Sequence, residues 1–326
     1  MYIVLLIVGG VFALGIGAEI IVRSSINLAN IYKVSGYFIG FTVVALGTSL
    51  PELAATIQAL NVVDSLEIAL GNIIGSNIAN ILLILGVISI INPILFSNNQ
   101  GQKNQTLIVL IVTLIATAIF YILSNNQNLN SITFGIILIV IFLIFLLVQY
   151  KNEVSNKSVI QEDPKFSQLI SYLILIVGLI LLYFGSKYFI LGSKQIAISF
   201  NVSESIIGLT LVAFGTSLPE LATGIVASVK KQSNLAVGTI LGSNVYNIVG
   251  IFALILFLKT NSFPTSSVIL LTNILIMTFV TIFFVFKVRF GFNFIKIKPF
   301  HLGKKSGIFF LILYVIYILY NYFQIK

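Results

Sequence analysis

Gly47-Thr48-Ser49-Leu50-Pro51-Glu52-Leu53 recurs residue for residue as Gly215-Thr216-Ser217-Leu218-Pro219-Glu220-Leu221. Each copy sits inside an otherwise apolar run and brings one carboxylate and two hydroxyls. An ionisable group inside a hydrophobic span is costly and marks a functional site. No Lys or Arg lies near mid-span to neutralise either glutamate by an ion pair. The same costly feature, built twice, points to the binding and passage of cations.

The composition sets the surroundings of that peptide. Of 326 residues, 58% are hydrophobic and 8% charged, and the mean hydropathy is +1.11. Soluble domains carry about 25% charged residues, so this is an integral membrane protein whose solvent is mostly lipid. A helical span takes about 20 apolar residues. Ten such segments are expected, at 2–22, 36–60, 69–92, 106–124, 131–149, 167–190, 204–229, 235–258, 265–286 and 307–323. The first has no basic leader and no small-residue cleavage site, which favours a span over a signal peptide. There is no cysteine, which excludes disulfides, thiolate nucleophiles and Cys-based metal sites. The net charge of +9 is ascribed to inner loops, not to nucleic acid. No Ser/His pair or HExxH motif suggests an enzyme, and no Asp lies within a span. His301, in a basic loop, is read as solvated.

The repeat extends well beyond seven residues. Val34–Ala54 aligned without gaps on Val202–Ala222 gives 15 identities in 21 positions. A second block follows, in which Gly71–Asn80 (GNIIGSNIAN) matches Gly238–Asn247 (GTILGSNVYN). The chain divides into a first five-helix repeat (1–149), a polar cytoplasmic connector (150–166) and a second five-helix repeat (167–326). An odd number of spans forces the second copy to enter from the opposite side. The halves are then inverted, with the site near the midplane where they meet. With the N-terminus outside, 14 of the 18 basic residues fall on the inner side. That bias obeys the positive-inside rule and predicts a multi-pass protein of the cell (inner) membrane with both termini extracytoplasmic. The expected fold is therefore all-α, with ten transmembrane helices in two inverted repeats and broken helices at the midplane.

Proline supplies the break. It lacks an N–H and clashes with the carbonyl four residues back, so Pro51 frees the carbonyl of Gly47 and Pro219 that of Gly215. Irregular backbone at membrane depth persists only inside protein or against a cavity. The freed carbonyls are expected to join Thr48, Ser49, Glu52, Thr216, Ser217 and Glu220 in one cluster of oxygens. Hard cations take six to eight such ligands, and two glutamates neutralise one Ca²⁺ or partly offset several Na⁺. The lack of Cys and of buried His disfavours soft metals. Ser76 and Asn80, four apart, share a helical face, and Ser243 and Asn247 repeat them. Their roles are expected at or behind the ion. Asn72, Asn77 and Asn244 lie nearby, and Asn77 and Asn244 fit interhelical hydrogen bonding as readily as ion binding. Glu19 is read as an ion pair with Arg23 one turn on. Its equivalent in the second repeat is Lys187.

These two blocks resemble the Ca²⁺/cation antiporter superfamily, most closely the prokaryotic sodium/calcium exchangers, over nearly the whole chain. The resemblance implies that Glu52 and Glu220 bind Ca²⁺ and Na⁺ competitively, with Thr48 and Thr216 lending oxygens to the Ca²⁺ site. It places Ser49, Ser217, Ser76 and Ser243, with the carbonyls of Ala45 and Ala213, at flanking Na⁺ sites. Asn80 and Asn247 then sit beside the central site. Some family members carry an aspartate in place of Asn247, tied to K⁺ in the potassium-dependent branch, so Asn247 disfavours K⁺ co-transport. The proton-coupled branch usually carries a G-N-A-x-E type of motif, which favours Na⁺ over H⁺ here. The family also implies that segments one and six slide against a fixed core. The expected activity is Ca²⁺/Na⁺ antiport by alternating access. The alternatives are a Ca²⁺/H⁺ antiporter and, from another class, a cation channel. Ca²⁺ and Na⁺ are substrates rather than cofactors, and besides lipid no obligatory partner is expected.

Overall fold

The computed structural model describes residues 2–61, 65–95, 100–126, 129–155, 163–199, 213–258, 268–290 and 301–325. Nine helices among them are long and apolar enough to cross a membrane. They are α1 (Tyr2–Tyr32), α2 (Gly36–Asn61), α3 (Leu66–Ile91), α4 (Gln100–Asn125), α5 (Ser131–Ser155), α6 (Gln168–Ser199), α8 (Ser233–Leu258), α9 (Val268–Phe290) and α10 (Lys304–Ile325). Between α6 and α8 lies α7, seen as Ala213–Thr216 followed by Leu218–Val229. The start of the expected segment 204–229 lies outside the described residues. With α7 the chain has the ten-helix, two-repeat arrangement.

Both motif helices break where the prolines predict. Ser49 (φ −81°, ψ 2°) and Ser217 (φ −86°, ψ 3°) leave the helix with almost the same dihedrals, in the sparsely occupied bridge region. A new helix starts after each, Leu50–Asn61 and Leu218–Val229. Proline is tolerated in a first turn, where its N–H would be unsatisfied anyway. The glutamate follows it in the same turn, where a helix N-terminus favours negative charge. Helical winding also loosens at π turns Asn80–Ile84 and Asn247–Phe252. Each begins at the asparagine singled out in its repeat. Such bulges concentrate at functional sites.

The core is built on α3 and α8, the most buried of the nine spans, while α1, α5 and α10 turn most of their surface outward. Helix α8 approaches α2 closely because their crossing is lined with glycine. A Cβ at Gly238 would run into the Tyr37 carbonyl of α2, and one at Gly40 into the Leu235 carbonyl of α8. Gly238→Ala is therefore expected to destabilise the protein by about 1–3 kcal/mol. The readout is a lower thermal-unfolding midpoint in detergent. Gly9→Ala, on an open face of α1, is expected to leave the midpoint unchanged.

Helices α1 and α6 run well past the apolar segments 2–22 and 167–190. The extra turns are polar, and hydropathy passes over them. Ser24 donates to the Ser171 carbonyl at 2.6 Å, and Asn27 donates to Ser171 Oγ at 2.7 Å and to the Phe166 carbonyl at 2.9 Å. Asn27 Oδ1 in turn accepts from the backbone N–H of Lys165 at 2.6 Å. Along their length the two helices cross through Gly10 against Gly185 and Gly17 against Gly178. They form one unit, tied at one end and close-packed along its length. Glu19 pairs with Arg23 as expected, and it has a second partner, Lys230 at the end of α7, at 2.8 Å.

Two short strands are an addition to the all-helical expectation. Ile94–Leu95 (β1) pairs antiparallel with His301–Leu302 (β2), linking the residues after α3 to those before α10. His301 is thus part of a backbone ladder and half-buried rather than a freely solvated loop residue. Its carbonyl accepts from the ammonium of Lys287. Lys287, just beyond the expected segment 265–286, lies buried in the last turns of α9, where that contact gives its charge a partner.

Candidate cation-binding site

The two glutamates are fully buried, as are Ser76, Asn80, Ser243 and Asn247, all at 0% exposure. Each glutamate is held by a serine of the following helix. Ser76 donates to Glu52 Oε1 at 3.1 Å, and Ser243 to Glu220 Oε1 at 3.1 Å. A hydroxyl has one proton to give. With that proton given to the carboxylate, each serine accepts from the opposite repeat: Ser217 lies 3.0 Å from Ser76, and Ser49 donates to Ser243 at 3.0 Å.

The asparagines repeat the exchange. Asn247 Nδ2 reaches Ser76 Oγ at 3.3 Å and Asn77 Oδ1 at 3.0 Å. Asn80 Nδ2 reaches Ser243 Oγ at 3.2 Å and Asn244 Oδ1 at 2.9 Å. Asn77 and Asn244 then donate to one another's backbone carbonyls, at 3.4 and 3.3 Å. Each of these bonds has a mate in which the repeats change places, so the network carries the pseudo-two-fold relation of the halves. The open question over Asn77 and Asn244 has a structural answer: they clasp the halves together and fix the amides of Asn80 and Asn247.

Four side-chain oxygens of this network are buried with no hydrogen-bond partner among the described residues: Glu52 Oε2, Glu220 Oε2, Asn80 Oδ1 and Asn247 Oδ1. Leaving a buried acceptor unsatisfied costs about 1–3 kcal/mol, more for a charged group. Here the cost is incurred four times, in symmetry-related pairs, at one place. Carboxylate and amide oxygens with no donor to satisfy them are what a hard cation binds.

Other expected ligands are placed less symmetrically. The Thr48 hydroxyl donates to the Ala45 carbonyl at 3.3 Å, which also accepts from the N–H of Ser49 at 3.0 Å. In this conformation the Ala45 carbonyl is thus engaged within its own helix. Thr216 donates to Asn72 Oδ1 at 3.3 Å, and Asn72 donates to the Glu52 carbonyl at 3.1 Å. Asn72 thereby joins the two motifs, while its equivalent in the second repeat is Thr239. Ala213 opens the described part of α7, and its side chain lies outside the described residues. The freed carbonyl of Gly215, expected among the ion's oxygens, is instead taken by Ser186 of α6 at 2.6 Å. A lone serine in an apolar helix gave no sign of that partner.

A helix bundle of two inverted halves, with a dicarboxylate oxygen cluster where they meet, has the architecture of a secondary cation transporter. The chain matches the family described as sodium/calcium exchanger protein over residues 2–151 and 170–323, and it belongs to that family. It is 36% identical over 255 residues to an uncharacterised membrane protein of Methanocaldococcus jannaschii, covering 76% of this chain and 82% of the other. It is 25% identical over 323 residues to the sodium/calcium exchanger MaX1 of Methanosarcina acetivorans, covering 85% and 90%. Among solved structures it is similar to the sodium-calcium exchanger NCX_Mj soaked with Na⁺ and Ca²⁺, at 30% identity and a TM-score of 0.80 over 98% of each chain.

Proposed function

We propose that this protein exchanges Ca²⁺ for Na⁺ across the cell membrane by alternating access, with both ions competing for one site. The observation that carries this reading is the set of four unpartnered oxygens on Glu52, Glu220, Asn80 and Asn247. Two carboxylates neutralise one Ca²⁺, and the amides complete its shell without adding charge. Thr48 and Thr216 lend further oxygens to the central ion. Ser49, Ser217, Ser76 and Ser243, with the carbonyls of Ala45 and Ala213, serve flanking Na⁺ ions. The same two carboxylates hold one Ca²⁺ or are shared by several Na⁺. Loading with one excludes the other. If more than two Na⁺ move per Ca²⁺, each net charge is worth about 2.3 kcal/mol per 100 mV of membrane potential. The loop charges orient both termini outward.

The test is ⁴⁵Ca²⁺ uptake into proteoliposomes with imposed gradients. Uptake is expected to follow an outward Na⁺ gradient, to saturate, and to ignore K⁺ and pH gradients. Uptake that ignored Na⁺ and followed pH would overturn the sodium reading in favour of proton exchange, the activity named for a relative, the Ca²⁺/H⁺ antiporter ChaA of Bacillus subtilis, 24% identical over 222 residues. An ohmic Ca²⁺ current would make the protein a channel.

A further inference from the structure

The two repeats match closely at the ion site and differ where α6 touches it. Ser186 Oγ, 2% exposed, donates to the Gly215 carbonyl at 2.6 Å. Pro219 leaves that carbonyl without its helical donor, and Thr216, Ser217 and Glu220 follow it directly. The hydroxyl of α6 therefore completes the broken helix at its ion-binding turn. Aligned on the two motifs, Ser186 falls on Ala18 and Gly215 on Gly47. Alanine has no donor. The bond exists in one repeat and has no chemical equivalent in the other.

Helix α6 leans on both breaks, since a Cβ at Gly47 would meet Leu179 and one at Gly215 would meet Ile190. It is fastened to α1 by the glycine crossings and by Asn27, so the pair packs as one unit. The ion pair of Glu19 with Lys230 joins the same body to the end of α7, and it too lacks an equivalent, because Glu19 falls on Lys187. An inverted-repeat transporter changes access largely by rigid motion of one bundle against another around the fixed site, and the exchanged arrangement trades the roles of the repeats. In that arrangement the contact corresponding to Ser186 on Gly215 is Ala18 on Gly47.

We infer that Ser186 is a positioning residue that ties the α1–α6 pair to the ion-binding turn of α7 in one access state only, and so sets the balance between the two states. This rests on the exchange activity proposed above. One hydrogen bond present in a single state biases a two-state equilibrium by about fivefold. Apparent affinity on each face scales with the fraction of protein open to that face. The ratio of the Ca²⁺ KM values on the two faces therefore reports the bias directly.

The experiment measures Na⁺-dependent ⁴⁵Ca²⁺ exchange by the full chain in right-side-out and inside-out membrane vesicles. Ser186→Ala is expected to change the KM ratio of the two faces about fivefold. Ser186→Thr, which keeps the hydroxyl, is expected to retain the wild-type ratio. Ala18→Ser, which adds the missing donor to the other state, is expected to move the ratio in the same direction as Ser186→Ala. A Ser186→Ala protein whose KM changes equally on both faces, or whose kcat alone changes, overturns the inference. So does a Ser186→Thr protein that behaves like Ser186→Ala. A wild-type protein with no exchange in either vesicle would instead overturn the function proposed above, so the two failures are distinguishable.

Discussion

Glu52→Gln abolishes Na⁺-driven Ca²⁺ uptake, and Glu220→Gln does the same; that is the expected result of neutralising either half of the site. Glutamine keeps the length of the side chain and still accepts the hydroxyl of Ser76 or Ser243. What it loses is one of the two charges facing the ion. At a contact of about 2.4 Å and an effective dielectric of about 20, a unit charge pair is worth roughly 7 kcal/mol before desolvation. A loss of even half that size weakens binding several hundredfold. The glutamine Nε2 also replaces an acceptor with a donor, which faces the cation with the wrong polarity. Because the two carboxylates are equivalent by the repeat, the two variants are expected to fail together. Near-normal ⁴⁵Ca²⁺ exchange by either one would remove that residue from the site. Loss of the folded protein is excluded by an unchanged elution profile in detergent.

Much of this site could be read from the chain alone because its signals are local and doubled. Proline followed by glutamate inside an apolar run demands both a break and a ligand, and the breaks fall at Ser49 and Ser217 with matching dihedrals. Five spans per repeat demand inversion, and the hydrogen-bond network accordingly has mates across the repeats. What escaped the sequence depends on partners far away in it. The polar end of α1 looks like a loop until Ser24 and Asn27 meet Ser171 and Phe166. Lys287 looks like a loop charge until the His301 carbonyl is brought beside it by a two-residue strand pair. Glu19 was legible with Arg23 because they are one turn apart, and illegible with Lys230 because only the fold brings them together. The carbonyl freed by Pro219 was legible as free, and its capture by Ser186 was not.

The asparagines show how a neutral residue can matter as much as a charged one. An amide presents a donor at one end and an acceptor at the other, and only the acceptor suits a cation. At Asn80 and Asn247 the donor end is fully committed, to Ser243 and Asn244 in one case and to Ser76 and Asn77 in the other. The oxygen is thereby left facing the site. An aspartate at position 247 would offer no N–H to Ser76 or Asn77 and would place its oxygens against theirs. The surrounding network is thus matched to an amide at this position, and the site has two carboxylates rather than three.

Asn77→Leu is expected to raise the KM for Ca²⁺ by about 10–100-fold, and Asn244→Leu by a similar factor. Neither residue has an unpartnered side-chain oxygen; each holds an amide whose unpartnered oxygen is proposed to bind the ion. Loss of the Asn77 amide removes the acceptor that anchors Asn247 Nδ2, and it leaves the Asn244 carbonyl without its donor. The Asn247 amide then keeps only Ser76 Oγ as an anchor, and in the turned form it aims N–H groups at the cation. Removing a group that orients a metal ligand typically costs one to two orders of magnitude in affinity, which sets the expected range. Since both clasps hold the same pair of helices, the double variant is expected to cost less than the product of the single effects. Ordinary packing damage predicts a different result, in which kcat and thermal stability fall together while the KM for Ca²⁺ stays near wild type. Measurement of KM, kcat and the unfolding midpoint on the same preparations separates orientation of the ligand amides from simple helix–helix adhesion.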